Sequence, residues 1–126
     1  MKAIVYTEYG APDVLKVEDM PKPSPKDEEV LIKIEAVSVN FGDLIARKFR
    51  YISAKDFKIL FLIWILAKFS FGLKSPGIKI LGNSFSGIIE KTGNKVKQFR
   101  DGVAVFGYTG EKMGAYAEYL CMNEKQ

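Results

Sequence analysis

The 126-residue sequence contains no histidine, one cysteine and one tryptophan. Without imidazole there is no histidine general acid or base, no Ser/His or Cys/His nucleophile pair, and no zinc site that requires a histidine ligand. Cys121 alone can neither close an intrachain disulfide nor build a thiolate cluster. Dominance of one charge sign is also missing. The 19 basic and 15 acidic residues leave a formal net charge of +4, enough for solubility and mild attraction to anions. The lysines are scattered, with no dense basic run and no nucleic-acid motif, so nucleic acid is not an expected partner. Met1 to Tyr6 runs directly into Thr7, Glu8 and a turn instead of a longer apolar region, which reads as no secretory signal and an expected cytoplasmic location. What chemistry there is falls to carboxylates, Lys, Arg, Tyr, Ser, amides or a cofactor.

What is present is 48% apolar and 27% charged, a globular composition at single-domain length, residues 1–126, with enough chain to bury a core unaided. Lys2 to Tyr6 and Val14 to Glu18 read as strands about Gly10-Ala11-Pro12, and Pro21 to Pro25 as an extended connector. Val30 to Ala36 has period two, which predicts Val30, Ile32, Ile34 and Ala36 on one face and Lys33 and Glu35 on the other. At Asn40 the period changes. Asn40 is a candidate cap for a helix carrying Phe41, Leu44 and Ile45 on one side and Asp43 in its first turn. Ser53 to Asp56 resembles a capping box, and an apolar helix is expected over about 54–68, ending by Gly72. Strand-like runs return at Ile78 to Leu81, Phe85 to Glu90, Val103 to Phe106 and Ala115 to Cys121, punctuated by glycines. Many short strands with few helices predict a barrel or sandwich.

In order along the chain, Asn40-Phe41-Gly42-Asp43-Leu44-Ile45-Ala46-Arg47, Gly82-Asn83-Ser84-Phe85-Ser86-Gly87, Val105-Phe106-Gly107 and Ala115-Tyr116-Ala117-Glu118-Tyr119 resemble the amino-terminal half of the medium-chain dehydrogenase/reductase family, in its zinc-free quinone oxidoreductase branch. The resemblance covers nearly the whole chain and implies a mainly β, GroES-like, partly open barrel with short helices. It also implies a second, nucleotide-binding domain, absent from this chain, whose glycine-rich turn cradles NADP or NAD. Gly107-Tyr108-Thr109-Gly110 is read as a turn, because no amphipathic helix follows it. Where the zinc-dependent branch carries metal ligands, this sequence has Asn40, Asn83 and Ser84, so neither catalytic nor structural zinc is expected. Ser84 and Val103 depart from carboxylates common among the zinc-free relatives.

The implied chemistry is hydride transfer to a small carbonyl compound or quinone in a cleft between domains. Asn40 is the leading candidate, either as a donor to substrate oxygen and nicotinamide carboxamide or as a helix cap. Asp43 is a catalytic candidate whose alternative is to orient the cleft, Arg47 a cofactor-phosphate candidate whose alternative is an ion pair with Asp43, and Tyr108 a phenol donor to substrate. Cys121, between Leu120 and Met122, reads as a small core residue. Ile59 to Ala67 is apolar on every side yet far short of the ~20 residues that span a bilayer. It is assigned to the core, to the missing domain or an identical chain in a homodimer, and last to a membrane surface. Two further readings stand beside the reductase half: a non-catalytic interaction module that retains the barrel, and, remotely, a co-chaperonin-like ring protein.

Overall fold

The structure, a computed structural model, describes residues 1–51, 65, 69, 72 and 75–126. The apolar helix expected over 54–68, with Trp64, lies outside the described residues but for Ile65. Among the described residues the elements are mainly strands, with the α-helix α1 and short 3-10 turns: β1 (Lys2–Val5), β2 (Lys16–Asp19), β3 (Glu29–Val37), α1 (Phe41–Arg47), β4 (Ser84–Thr92), β5 (Ala104–Tyr108) and β6 (Tyr119–Asn123). β1 and β2 form an antiparallel pair, and the other strands form an antiparallel sheet in the order β5-β4-β3-β6. Among the described residues the two sheets do not close into one ring, which is the partly open, GroES-like barrel expected. No helix of the described residues is long and apolar enough to cross a membrane.

Bridges Ala3↔Ala117 and Val5↔Ile80 join the small sheet to the rest, helped by backbone bonds from Ile4 N to Tyr116 O and Tyr6 N to Lys79 O. The prolines of the 21–25 connector cannot donate to a ladder, and its lysine straps it across the large sheet instead. The Lys22 ammonium lies 3.8 Å from the Tyr119 ring centre and pairs with Glu90.

Among the described residues two apolar clusters form the interior. One gathers Tyr6, Tyr9, Ala46, Phe49, Leu81, Met113 and Tyr116 around α1; the other gathers Val30, Ile32, Phe85, Ile89 and Ala115 beneath the large sheet. The face expected along β3 holds at Val30, Ile32 and Ile34, which belong to or pack against the second cluster, while Lys33 and Glu35 are exposed. Leu31 is as buried as Val30 and Ile32, whereas Ala36 is exposed. The register against β4 shifts between Leu31 and Ile32, where Glu90 is an extra residue of β4, and between Ile34 and Ala36, where Glu35 is an extra residue of β3, and the second irregularity takes Ala36 out of the alternation. Other boundaries move as well. Ile78 to Leu81 contributes only a bridge at Ile80, and the strand expected from Ala115 begins at Tyr119, because Ala115 and Tyr116 spend their backbone groups on Gly82 and Leu81.

Candidate active site

α1 follows directly on β3, and its first turn carries the site. Asn40 has extended backbone, and its Oδ1 accepts from Gly42 N at 3.1 Å, while Asp43 Oδ2 accepts from Asn40 N at 3.0 Å. The two side chains cap the helix reciprocally, which stabilises an otherwise short element. The two roles considered for Asn40 use different atoms. The cap occupies the carbonyl oxygen, whereas the amide Nδ2 donates to Asn83 Oδ1 at 2.5 Å and retains a second hydrogen.

Asp43 is 2% exposed. Beyond the cap, its Oδ1 accepts from Gly82 N at 3.0 Å and its Oδ2 from the Tyr116 hydroxyl at 3.0 Å. A carboxylate engaged by three donors in the interior is held in position, and it fastens α1 to the turn before β4. Burial first, and then the hydrogen bond and charge of Asp43, push the Tyr116 phenol above its ordinary range, so it remains a donor. Gly82 is required at this junction. Its φ is +88°, and a Cβ there would stand 2.4 Å from Tyr116 Cδ1.

Asn83, 5% exposed, links the candidates. Its Oδ1 also accepts from Ser84 Oγ at 3.2 Å, and its Nδ2 donates to the Tyr108 hydroxyl at 3.4 Å. Its backbone oxygen accepts from Thr109 N at 2.7 Å, which holds the end of β5 against the turn. Tyr108 is the last residue of β5 and is 62% exposed, so its ring faces outward while its oxygen remains in the network. Asn40, Asp43 and Tyr108 therefore belong to one connected group around the turn at residues 82–84. Arg47 does not join it. Its side chain is buried with Nε unpartnered, and it makes no ion pair with Asp43 among the described residues.

Asn83 and Tyr116 were not among the candidates read from sequence. In the sequence Asn83 stands where the zinc-dependent branch carries a metal ligand, and the signal it offers is a polar amide in a turn immediately before an apolar strand. Tyr116 gave no local signal, since its partner lies 73 residues away. Cys121 is half-buried in β6, and burial, followed by the Glu29 charge, pushes its thiol up, away from the reactive thiolate. Among the described residues no three of His, Cys, Asp and Glu are grouped as metal ligands would be.

A phosphate cradle for a dinucleotide requires a glycine-rich turn leading into an α-helix. After β5 the chain enters only the short 3-10 turn Gly110–Lys112. Among the described residues no element therefore fits a pyrophosphate.

Comparison with known proteins gives a consistent picture. Residues 26–126 match the alcohol dehydrogenase GroES-like domain. The chain is 34% identical to a 2-methylene-furan-3-one reductase of Solanum lycopersicum over 99% of its own length and 29% of the relative's. It is 32% identical to an NADPH-dependent alkenal/one oxidoreductase, chloroplastic, of Arabidopsis thaliana, over 99% of this chain and 30% of that one. The solved quinone oxidoreductase of Coxiella burnetii superposes with a TM-score of 0.74 at 30% identity, covering 100% of this chain and 35% of that chain. The chain thus spans about a third or less of each of these relatives.

Proposed function

Because the chain belongs to the alcohol dehydrogenase GroES-like domain family, we propose that it is the substrate-side domain of an NAD(P)H-dependent, zinc-free oxidoreductase that reduces a quinone, enone or aldehyde. The single observation that carries this reading is the Asn40 amide, fixed by its cap at one end and offering a donor hydrogen at the other. When bound, the nicotinamide supplies hydride. This chain's contribution is to meet the negative charge that develops on the substrate oxygen: Asn40 and Tyr108 act as donors, and Asp43 holds Asn40 in place. The zinc-free assignment rests on the absence of histidine and on Asn40, Asn83 and Ser84 at the corresponding positions. A cytoplasmic location and a nucleotide-binding domain as partner belong to the same proposal.

A non-catalytic interaction module is the second reading, favoured by Ser84 and Val103 in place of carboxylates and by Phe106, which is 90% exposed.

The test is calorimetric titration with NADPH and a menadione reduction assay, on the chain alone and on the chain fused to a nucleotide-binding domain from a relative. The chain alone is expected neither to bind NADPH at micromolar concentration nor to turn over. The fusion is expected to be active, and Asn40→Ala to lower its kcat about a hundredfold, as removal of an oxyanion donor does. Turnover by the chain alone would refute the half-enzyme reading; an inactive fusion with intact NADPH binding would favour the interaction module.

A further inference from the structure

We propose that Asn83 is a positioning residue that carries the hydrogen-bond direction fixed at Asn40 across to Tyr108, so that Asn40 and Tyr108 both keep a donor hydrogen for the oxygen of a carbonyl compound. The inference rests on the substrate-side reading above.

Gly42 N can only donate, so the Asn40 atom facing it at 3.1 Å is the carbonyl oxygen. That fixes the amide nitrogen of Asn40 on the side of Asn83, 2.5 Å from its partner atom, which must then be an acceptor. The Asn83 oxygen consequently faces Asn40, where Ser84 Oγ also donates to it at 3.2 Å, and the Asn83 nitrogen faces Tyr108 at 3.4 Å. Since this nitrogen donates, the Tyr108 hydroxyl accepts, and its own hydrogen is left for a group outside the network. A reversed Asn83 would set two amide nitrogens against each other at 2.5 Å. With the residue 5% exposed, water cannot relieve that clash, and an unmatched amide in the interior is costly.

The packing leaves room for this arrangement. A Cβ on Gly42 would stand 3.2 Å from Asn40 Oδ1 and 3.4 Å from Asn83 Nδ2, so the space beside the two amides is kept by the absence of a side chain. Thr109 N holds the Asn83 backbone oxygen at 2.7 Å, which prevents the turn from rotating away.

Asn83→Asp separates the two ends of the residue. Its carboxylate still accepts from Asn40 and Ser84, but at the other end it accepts the Tyr108 hydrogen and turns that donor inward. The experiment titrates the isotope-labelled chain with cyclohex-2-enone, and with cyclohexene as the control that lacks the carbonyl, following side-chain and backbone amide resonances. The expected result is an enone-dependent shift of the Asn40 carboxamide that cyclohexene does not produce. Asn83→Asp should weaken enone binding about tenfold, the value of one well-placed hydrogen bond, while the Asn40 side-chain amide keeps its slow hydrogen exchange. Tyr108→Phe should weaken it equally in the native background and no further in the Asn83→Asp background. Tyr108 is exposed, so Tyr108→Phe carries the test if the Asn83 variant does not fold. Additive effects, unchanged enone binding in either single variant, or no carbonyl-dependent shift in the native chain would overturn the inference. The expected pattern together with an inactive fusion would instead sink the proposed reduction and leave the polarity set by Asn83 standing.

Discussion

The Asp43 carboxylate is engaged by the Asn40 and Gly82 N–H groups and by the Tyr116 hydroxyl, all at 3.0 Å. Removing it strands these donors in the interior, where each unsatisfied group costs about 1–3 kcal/mol. Asp43→Ala is therefore expected to lower unfolding free energy by about 3–4 kcal/mol, close to the upper range for single substitutions. Tyr116→Phe, which deletes one donor and keeps the ring, should cost about 1 kcal/mol. Urea unfolding of both variants and the double variant checks this, and Tyr116→Phe should cost much less once Asp43 is gone, because the shared bond is already lost. Equal effects in both backgrounds would contradict the geometry.

Among the elements, β6 depends on a contact beyond its own ladder. Glu124, the residue after its last position, accepts from Lys97 N at 2.8 Å and Gln98 N at 3.0 Å through Oε2, and its backbone N donates to Glu28 O. The two backbone donors hold its carboxyl below the usual carboxylate range. A group with a depressed folded pKa stabilises the fold above its unfolded value, about 4.3 for glutamate, and that contribution disappears as pH falls through the folded value. The melting temperature should accordingly drop below about pH 4, and Glu124→Gln should reduce the dependence while lowering stability at pH 7. Parallel curves for the two proteins over that range would exclude the assignment.

For the molecule as a whole, the first six residues tie the small sheet to the rest of the fold. Ala3 and Val5 bridge to Ala117 and Ile80, Lys2 to Val5 pair with Lys16 to Asp19, and Tyr6, 1% exposed, anchors the cluster around α1. Deleting residues 1–6 removes the backbone partners of Lys79 O, Tyr116 O and Glu118 N and opens that cluster to water. Such a chain is expected to lose its cooperative unfolding transition, as read by near-ultraviolet circular dichroism and amide-proton dispersion. A sharp transition in the truncated chain would show that the large sheet is self-sufficient.

Composition and local pattern were enough to determine several features, because each depends on neighbours in sequence. The mainly β fold follows from short apolar runs between glycine turns, the α1 cap from Asn40 and Asp43 three positions apart, and the lack of imidazole chemistry from the absence of histidine. The tertiary structure alone decided what depends on distant partners. Asn83 joins the site through Asn40, 43 residues away, and Asp43 is a fastening point because Gly82 and Tyr116, 39 and 73 residues off, meet it. Ala36 is exposed although it follows Ile34 by two positions, because the extra residue Glu35 resets the register of β3 against β4. Helix caps and strand periods are written in consecutive residues, whereas a buried hydrogen-bond network exists only once the chain has brought its donors and acceptors together and excluded the water that would otherwise satisfy them.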